Sequence, residues 1–273
     1  MKTVQLYNNS ITLNFSDDNR HRYTIEETDH SPLGVTTVLD KVLAKPALLT
    51  WPMNEALKYL KDFADKDVIL TSSMLAESSK KYREKSNKGK DSGTLIHRAV
   101  QVFLEGHKQA VLPMVAPSLL AFQQWFKSQN FKVIGVEQLV YSKKFDYAGT
   151  FDSLLEINHQ PILCDLKTTN PSHTSPLGIY PEMFAQLGAY SLAYTEAHPE
   201  SPKIKDLMII RLPKPIESTD PEGKLIYSTD DIIVNTLKAS EVGLSVEECE
   251  QAWLRILFTY RFITPLAKKL KEA

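Results

Sequence analysis

The sequence predicts an α/β domain, a central mixed sheet flanked by helices, and three observations carry that expectation. Between Asp91 and Lys214 the hydrophobic periodicity runs helix, three strands, helix, strand, the alternation that layers helices against a sheet. The middle of that order, Tyr147 to Thr169, reads as a β-hairpin around Asn158-His159, because Asn tolerates the positive φ of a tight two-residue turn. The apolar fraction of 42% is that of an ordinary globule.

Taken in order, residues 1 to 30 alternate as VQLY, ITLNF and RYTI around NNS and SDDN, which predicts a small antiparallel meander. From Val35 the pattern turns helical. Pro46 suits a helix's first turn, and Pro52 predicts a kink or a second start. Trp51, Tyr59 and Phe63 are expected in the core of this helical region; an exposed one would be able to stack on a base.

Ser78 to Lys90 carries six basic residues, Lys80, Lys81, Arg83, Lys85, Lys88 and Lys90, against one acid, Glu84. The net charge of −1 hides this imbalance, since compensating acids lie in Glu217 to Asp231 and Glu241 to Glu250. Such a patch binds phosphates on a neutral protein, or is simply a solvated lysine-rich face. Asp91 or Ser92 is then expected to cap a helix that Gly106 ends. On that helix Leu95, Ile96, Ala99, Val100, Val102, Phe103 and Leu104 form an apolar arc, with Arg98, Gln101 and Glu105 opposite. His97 falls at its border, where a structural histidine sits as readily as one leaning into a cleft.

A helix over Pro117 to Gln129 leads to the strand Phe131 to Ser142, with Glu137 at its centre. After the hairpin, residues 171–176 form a loop, and Pro181-Glu182 opens a helix on which Gln186 and Tyr190 share a face. Lys205 to Lys214 is a buried strand, a proline- and acid-rich excursion follows, and Ser245 with Glu248 makes a capping box for the last helix. The organisation expected is an N-terminal region 1–90 and a core 91–273, packed as one unit.

The hairpin's register has a chemical consequence. With Ile157 opposite Gln160, Asp152 falls opposite Asp165, and Lys167 stands two residues on. Alternation puts all three on one face, and two carboxylates about 5 Å apart across strands repel unless a cation lies between them. The repulsion points to a metal site, while the trio taken alone reads as readily as a hairpin whose polar face is wetted. The opposite face, Ile162, Cys164 and Leu166, suits packing against a helix. Cys164 and Cys249 are the only cysteines, which suggests neither disulfide, thiolate zinc site nor four-cysteine iron–sulfur cluster. No run of eighteen apolar residues and no signal or transit pattern occurs, so a cytoplasmic protein with no membrane partner is expected.

Gly93-Thr94-x-x-His97, Glu137, Gly149-Thr150-Phe151-Asp152, Asp165-Leu166-Lys167 and Gln186-x-x-x-Tyr190 occur in series over about Asp91 to Arg211. Together they resemble the motif series of the PD-(D/E)XK nucleases, in their RecB-like exonuclease branch. The stretch GVTTVLDKVLAKPALLTW with the basic segment after it resembles phage-type members and the mitochondrial genome maintenance exonuclease. The resemblance implies a restriction-endonuclease-like core and a metal-dependent exonuclease of DNA repair or recombination, in a bacterial or phage-infected cell. It would act on single-stranded DNA or strand ends and leave 5′-phosphates. Asp152 and Asp165 would hold Mg²⁺ or Mn²⁺ with His97 and the Leu166 carbonyl, and no iron–sulfur cluster. Lys167 would orient or deprotonate water, while Gln186 and Tyr190 would position water or phosphate. Glu137 would support a ligand or face solvent, and the basic residues, with Tyr82 and Thr94, would meet the DNA. The competing expectations are a silent DNA-binding module on the same fold and an endonuclease indifferent to sequence.

Overall fold

A computed structural model describes residues 2–16, 22–43, 46–64, 66, 68–169, 179–228 and 232–272, with side chains at 46–49, 88 and 271–272 outside the description. The loop expected at 171–176 lies outside these residues. The meander is present: β1 (Lys2–Leu6), β2 (Ile11–Ser16) and β3 (Arg22–Ile25) pair antiparallel in that order. Tyr7, Asn8 and Asn9, all at positive φ, make the first turn.

The chain then runs through β4 (Leu33–Gly34), α1 (Val35–Val42), α2 (Pro46–Lys61), α3 (Ser72–Leu104), α4 (Ala116–Ser128), β5 (Lys132–Ser142), β6 (Tyr147–Ile157) and β7 (Gln160–Thr169). It closes with α5 (Pro181–Ala197), β8 (Asp206–Pro213), β9 (Ile216–Thr219), β10 (Leu225–Ser228), β11 (Asn235–Lys238) and α6 (Val246–Glu272). The central sheet has the order β11-β8-β7-β6-β4, with β5 also on β6. It is mixed, since β7 with β8 and β4 with β6 are parallel and the other pairs antiparallel.

Helices cover both faces. Ile96, Val100, Leu119 and Phe122 of α3 and α4 pack on Ile162, Cys164 and Leu166 of β7, the face expected to be apolar. The other face packs Leu154 and Leu163 against α1, α5 and α6, around Trp253 and Tyr147. The meander makes a third cluster, in which Leu6, Ile11 and Leu13 meet Leu139, Tyr141 and Ala148. Among the described residues no helix is long and apolar enough to cross a membrane.

Four local expectations are corrected. Neither Asp91 nor Ser92 caps a helix, because α3 already runs from Ser72, capped by Thr71 Oγ1 accepting from the Met74 N–H at 3.3 Å. The basic segment holds five Lys, one Arg and one Glu, good helix formers, and no proline, so it continues the helix. Ser92 Oγ turns back to the Gly89 carbonyl at 3.1 Å. Leu95 is 38% exposed rather than part of the buried arc. Pro52 makes no second start, since it lies inside the single helix α2, and Trp51, Tyr59 and Phe63 are half-buried, with Trp51 packing edge-on to Tyr82 at 4.9 Å where α2 meets α3. The excursion holds the hairpin β9–β10 and the polar edge strand β11, which pairs with β8 from Asn235 opposite Arg211 to Lys238 opposite Met208.

The capping box forms as expected: Glu248 N–H donates to Ser245 Oγ at 3.1 Å, and Ser245 N–H to Glu248 Oε2 at 2.8 Å. Ser245→Ala removes one of the two bonds. A loss of about 1 kcal/mol in denaturant unfolding is expected.

Candidate active site

The site stands where the central sheet forks. Asn158 and His159, at φ 50° and 61°, make the tight turn and set Ile157 opposite Gln160, and the ladder climbs to Ser153 opposite Cys164. There it ends. Above that point β6 stays with β5 and β4, whereas β7 stays with β8 as far as Thr169 opposite Pro213. Asp152 sits in the fork, and its Oδ2 accepts the Leu166 N–H at 2.5 Å, taking the place of the next strand pair.

This alters the predicted geometry. Phe151 and Leu154, three residues apart, both enter the cluster beneath α5, so strict alternation fails between them. Across the ladder Val136 pairs with Ser153 and Gln138 with Phe151, and the intervening Glu137 has φ 49°, a left-handed conformation strained for a glutamate. Asp152 therefore lines a small cavity with His97, Val100, Phe122, Glu137 and Leu166, on the α3 side of the sheet. Asp165 and Lys167 follow Leu163 onto the α5 side. The three groups still meet at the fork, but not on one face.

Asp165 is 4% exposed, with Lys167 Nζ 2.5 Å from its Oδ2. Lys167 Nζ also donates to Gln186 Oε1 at 3.3 Å, and Gln186 Nε2 donates to the Tyr190 hydroxyl at 2.8 Å, so the two residues expected on one face of α5 form a relay to the lysine. Burial pulls the Lys167 pKa down, but the carboxylates of Asp165 and Asp152 outweigh it and hold the ammonium above its ordinary value. Burial, then the Asp165 charge, pushes the Tyr190 phenol well up. The Tyr190 ring comes close to β6 because Gly149 has no side chain: a Cβ there would stand 2.3 Å from Tyr190 Cε1.

Gly93 works likewise on the other side, since a Cβ would come within 2.8 Å of Thr168 Oγ1. That close approach of α3 to β7 brings His97 to the fork, its Nδ1 3.9 Å from Asp152 Oδ2. Burial lowers the His97 pKa to about 4, with Asp165 opposing the shift and the charges of Lys167 and Lys214 adding to it. Asp152 shifts the other way, its pKa raised by burial and then by repulsion from Asp165. The neutral imidazole has a consequence for acid stability. A group with a folded pKa near 4 and an ordinary value of 6.5 takes a proton more readily when unfolded, so its contribution is present above about pH 6.5 and is lost as pH falls toward 4. In EDTA, His97→Gln should flatten the fall of stability over that window by up to about 3 kcal/mol relative to the parent, read from denaturant midpoints at each pH.

The donor set suits a hard divalent cation. Asp165 Oδ2 is buried and receives no hydrogen bond of good geometry despite the nearby ammonium. Asp152 is a carboxylate that burial and Asp165 oppose more than Lys167 and the Leu166 N–H support, and His97 is a neutral imidazole, the form that binds metal. Among the described residues no group of three or more His, Cys, Asp or Glu side chains is placed to hold a metal ion by itself. An open site of one or two carboxylates completed by water and substrate oxygens is how magnesium is commonly held. Glu137 stays at the cavity's edge, ion-paired with Lys2 Nζ at 2.8 Å.

The basic segment divides. Lys81 pairs with Glu77 at 2.9 Å and Glu84 at 3.1 Å, Lys80 with Glu77 at 3.7 Å, and Lys85 with the buried Glu55 at 2.8 Å. These charges brace α3 and its contact with α2. Tyr82 packs on Trp51, and Thr94 Oγ1 donates to the Lys90 carbonyl at 3.0 Å within α3. Arg83 and Lys90 are exposed and make no ion pair among the described residues; the Lys88 side chain lies outside them. Sequence reasoning passed over Lys214, which follows β8 and reaches α3; its only signal was a basic residue just past a buried strand.

No protein-family model matches the sequence, and no curated protein does. Among solved structures the chain is similar to SSO0001, with a TM-score of 0.33 and 11% identity over 84% of each chain. It is also similar to LHK-Exo in complex with dAMP, with a TM-score of 0.32 and 11% identity over 88% of this chain and 94% of that one. The alkaline exonuclease LHK-Exo from Laribacter hongkongensis gives 0.31 and 11% over the same shares.

Proposed function

We propose that the chain is a metal-dependent DNA exonuclease that hydrolyses phosphodiester bonds at strand ends, on single strands, and leaves 5′-phosphates. The observation that supports it most is the pairing at the fork: a buried carboxylate, Asp165, beneath an ammonium, Lys167, with a second carboxylate, Asp152, kept protonation-prone by burial and then by the first. Such a group is unfavourable in a resting protein and useful where a divalent cation and a phosphate diester come together.

Asp152 and Asp165 would hold Mg²⁺ or Mn²⁺ with His97 beside them; a bound cation lowers the pKa of water and neutralises charge on the scissile phosphate. The protein's own residues account for the rest. Lys167, an ammonium at neutral pH, donates hydrogen bonds to water or to a phosphate oxygen, so it orients and neutralises rather than removing a proton. Gln186 fixes where that ammonium points, and Tyr190 fixes Gln186. Glu137, tied to Lys2, keeps a third negative charge near Asp152. Arg83 and Lys90 are the exposed cations on α3 that would meet a phosphate backbone.

End-labelled single- and double-stranded DNA, incubated with Mg²⁺, Mn²⁺ or EDTA, should show stepwise loss of nucleotides with metal and none with EDTA. A covalently closed single-stranded circle should survive. Cleavage of the circle would make the protein an endonuclease, and tight DNA binding with no cleavage in either metal would make it a binding module.

A further inference from the structure

Lys214 is an ammonium held against the fork without a carboxylate. Its backbone is fixed on both sides: its N–H donates to the Thr169 carbonyl at 2.8 Å, and Ser118 Oγ donates to the preceding Pro213 carbonyl at 2.7 Å. From that anchor the side chain crosses to α3, where Nζ donates to the Gly89 carbonyl at 2.6 Å. Among the described residues it has no ion-pair partner. A half-buried ammonium satisfied by one neutral carbonyl is costly, and burial lowers its pKa. If it served only to brace α3, a neutral donor would do the same at less cost.

Opposite this side chain α3 presents two glycines. Gly89 and Gly93 lie one turn apart in the interior of α3, where each glycine costs about 1 kcal/mol relative to alanine. A Cβ on either would stand 3.8 Å from Lys214 Nζ, an ordinary van der Waals contact, so the ammonium lies against the face the two glycines share. Gly89, Gly93 and His97 recur every fourth residue, so they share one face of the helix and lead from the basic segment to the fork. Lys90 stands exposed beside the first of them. The ammonium is close enough to the fork for its charge to act on His97.

We infer that Lys214 binds the backbone phosphate next to the scissile one, giving the substrate strand a second fixed cation between Lys90 and the fork. The ligand is a single-stranded polynucleotide, recognised through its phosphates and not its bases. This inference rests on the nuclease function proposed above. Lys167 acts on the reacting phosphate; Lys214, on the opposite wall, sets the register of the strand so that a bond lies at the fork.

Binding of a fluorescent single-stranded oligodeoxynucleotide to Asp165→Asn, measured at several salt concentrations, gives the reference affinity and slope. Adding Lys214→Gln, which removes the charge but keeps an amide donor, should weaken binding by about tenfold and make the slope of log affinity against log salt shallower by about 0.7, the contribution of one phosphate on a single strand. Lys214→Arg should restore the slope. In the otherwise native protein Lys214→Gln should raise KM by a similar factor, and Lys214→Arg should bring it back. If Lys214→Gln keeps the reference slope and affinity, the lysine is a strut between β8 and α3 and the inference is overturned, with nuclease function untouched. If Asp165→Asn binds no single-stranded DNA at any salt concentration, the proposed substrate falls and the role of Lys214 falls with it.

Discussion

Asp165→Asn is expected to abolish hydrolysis while the chain stays folded. The neutral amide keeps the size of the carboxylate but removes the charge that would hold a divalent cation, and metal-based stabilisation of a phosphoryl transition state is worth several kcal/mol. At 1.36 kcal/mol per factor of ten, turnover should fall by at least about 10³. Asp152→Asn should fall as far. In metal-free buffer the two should separate in stability. Asp152 is a carboxylate that burial and Asp165 both oppose, and Asn at that position still offers an oxygen to the Leu166 N–H, so relief of repulsion should raise the melting temperature. Each kcal/mol relieved is worth about 2 to 4 °C in a chain of this size. Asp165→Asn instead strips Lys167 of its ion-pair partner and should gain nothing or lose stability. Turnover with excess Mg²⁺ or Mn²⁺ and melting in EDTA test both claims. Native-like turnover by either variant would remove these aspartates from the chemistry.

The contrast between the two aspartates also shows where the sequence stops being readable. The hairpin's register follows from two residues, Asn158 and His159, whose left-handed turn admits one pairing, and the observed ladder is that pairing. The order of helices and strands followed from periodicity in the same way. What alternation could not supply is the direction of Asp152, because the strand departs from period two at that point and its partner Glu137 takes a positive φ with no glycine or asparagine to announce it. Gly93 and Gly149 were visible as motif letters. Their reason, the approach of Thr168 and of the Tyr190 ring, needs the packing partner, some seventy-five residues away for Gly93 and forty for Gly149. The basic segment was legible as charge but not as allocation: Glu55 and Glu77 take up Lys85, Lys80 and Lys81, and Glu55 lies on another helix. Lys214 was illegible for the same reason, since its neighbours Gly89 and Thr169 come from two other elements.

Lys167→Ala should separate chemistry from binding. The ammonium lies 2.5 Å from a carboxylate that is 4% exposed, so its removal leaves Asp165 with an uncompensated buried charge. Breaking a buried pair in this way costs about 3 to 5 kcal/mol, and the variant should unfold earlier in EDTA. Added Mg²⁺ should recover part of that loss, because a cation at the fork replaces the missing positive charge for Asp165. Activity should not recover with it. Lys167 is placed by Gln186 and Tyr190 to donate to water or a phosphate oxygen where negative charge grows during reaction, an interaction worth more in the transition state than in the bound substrate. Single-turnover rates at saturating metal should therefore drop by about 10² to 10³, the scale seen when one preorganised donor is removed. Affinity for single-stranded DNA should change little in comparison. Gln186→Ala, which leaves the lysine present but unguided, should give a smaller loss of rate with the same affinity. A Lys167→Ala protein that keeps its single-turnover rate but loses DNA affinity would show that the ammonium anchors the strand and takes no part in the chemistry.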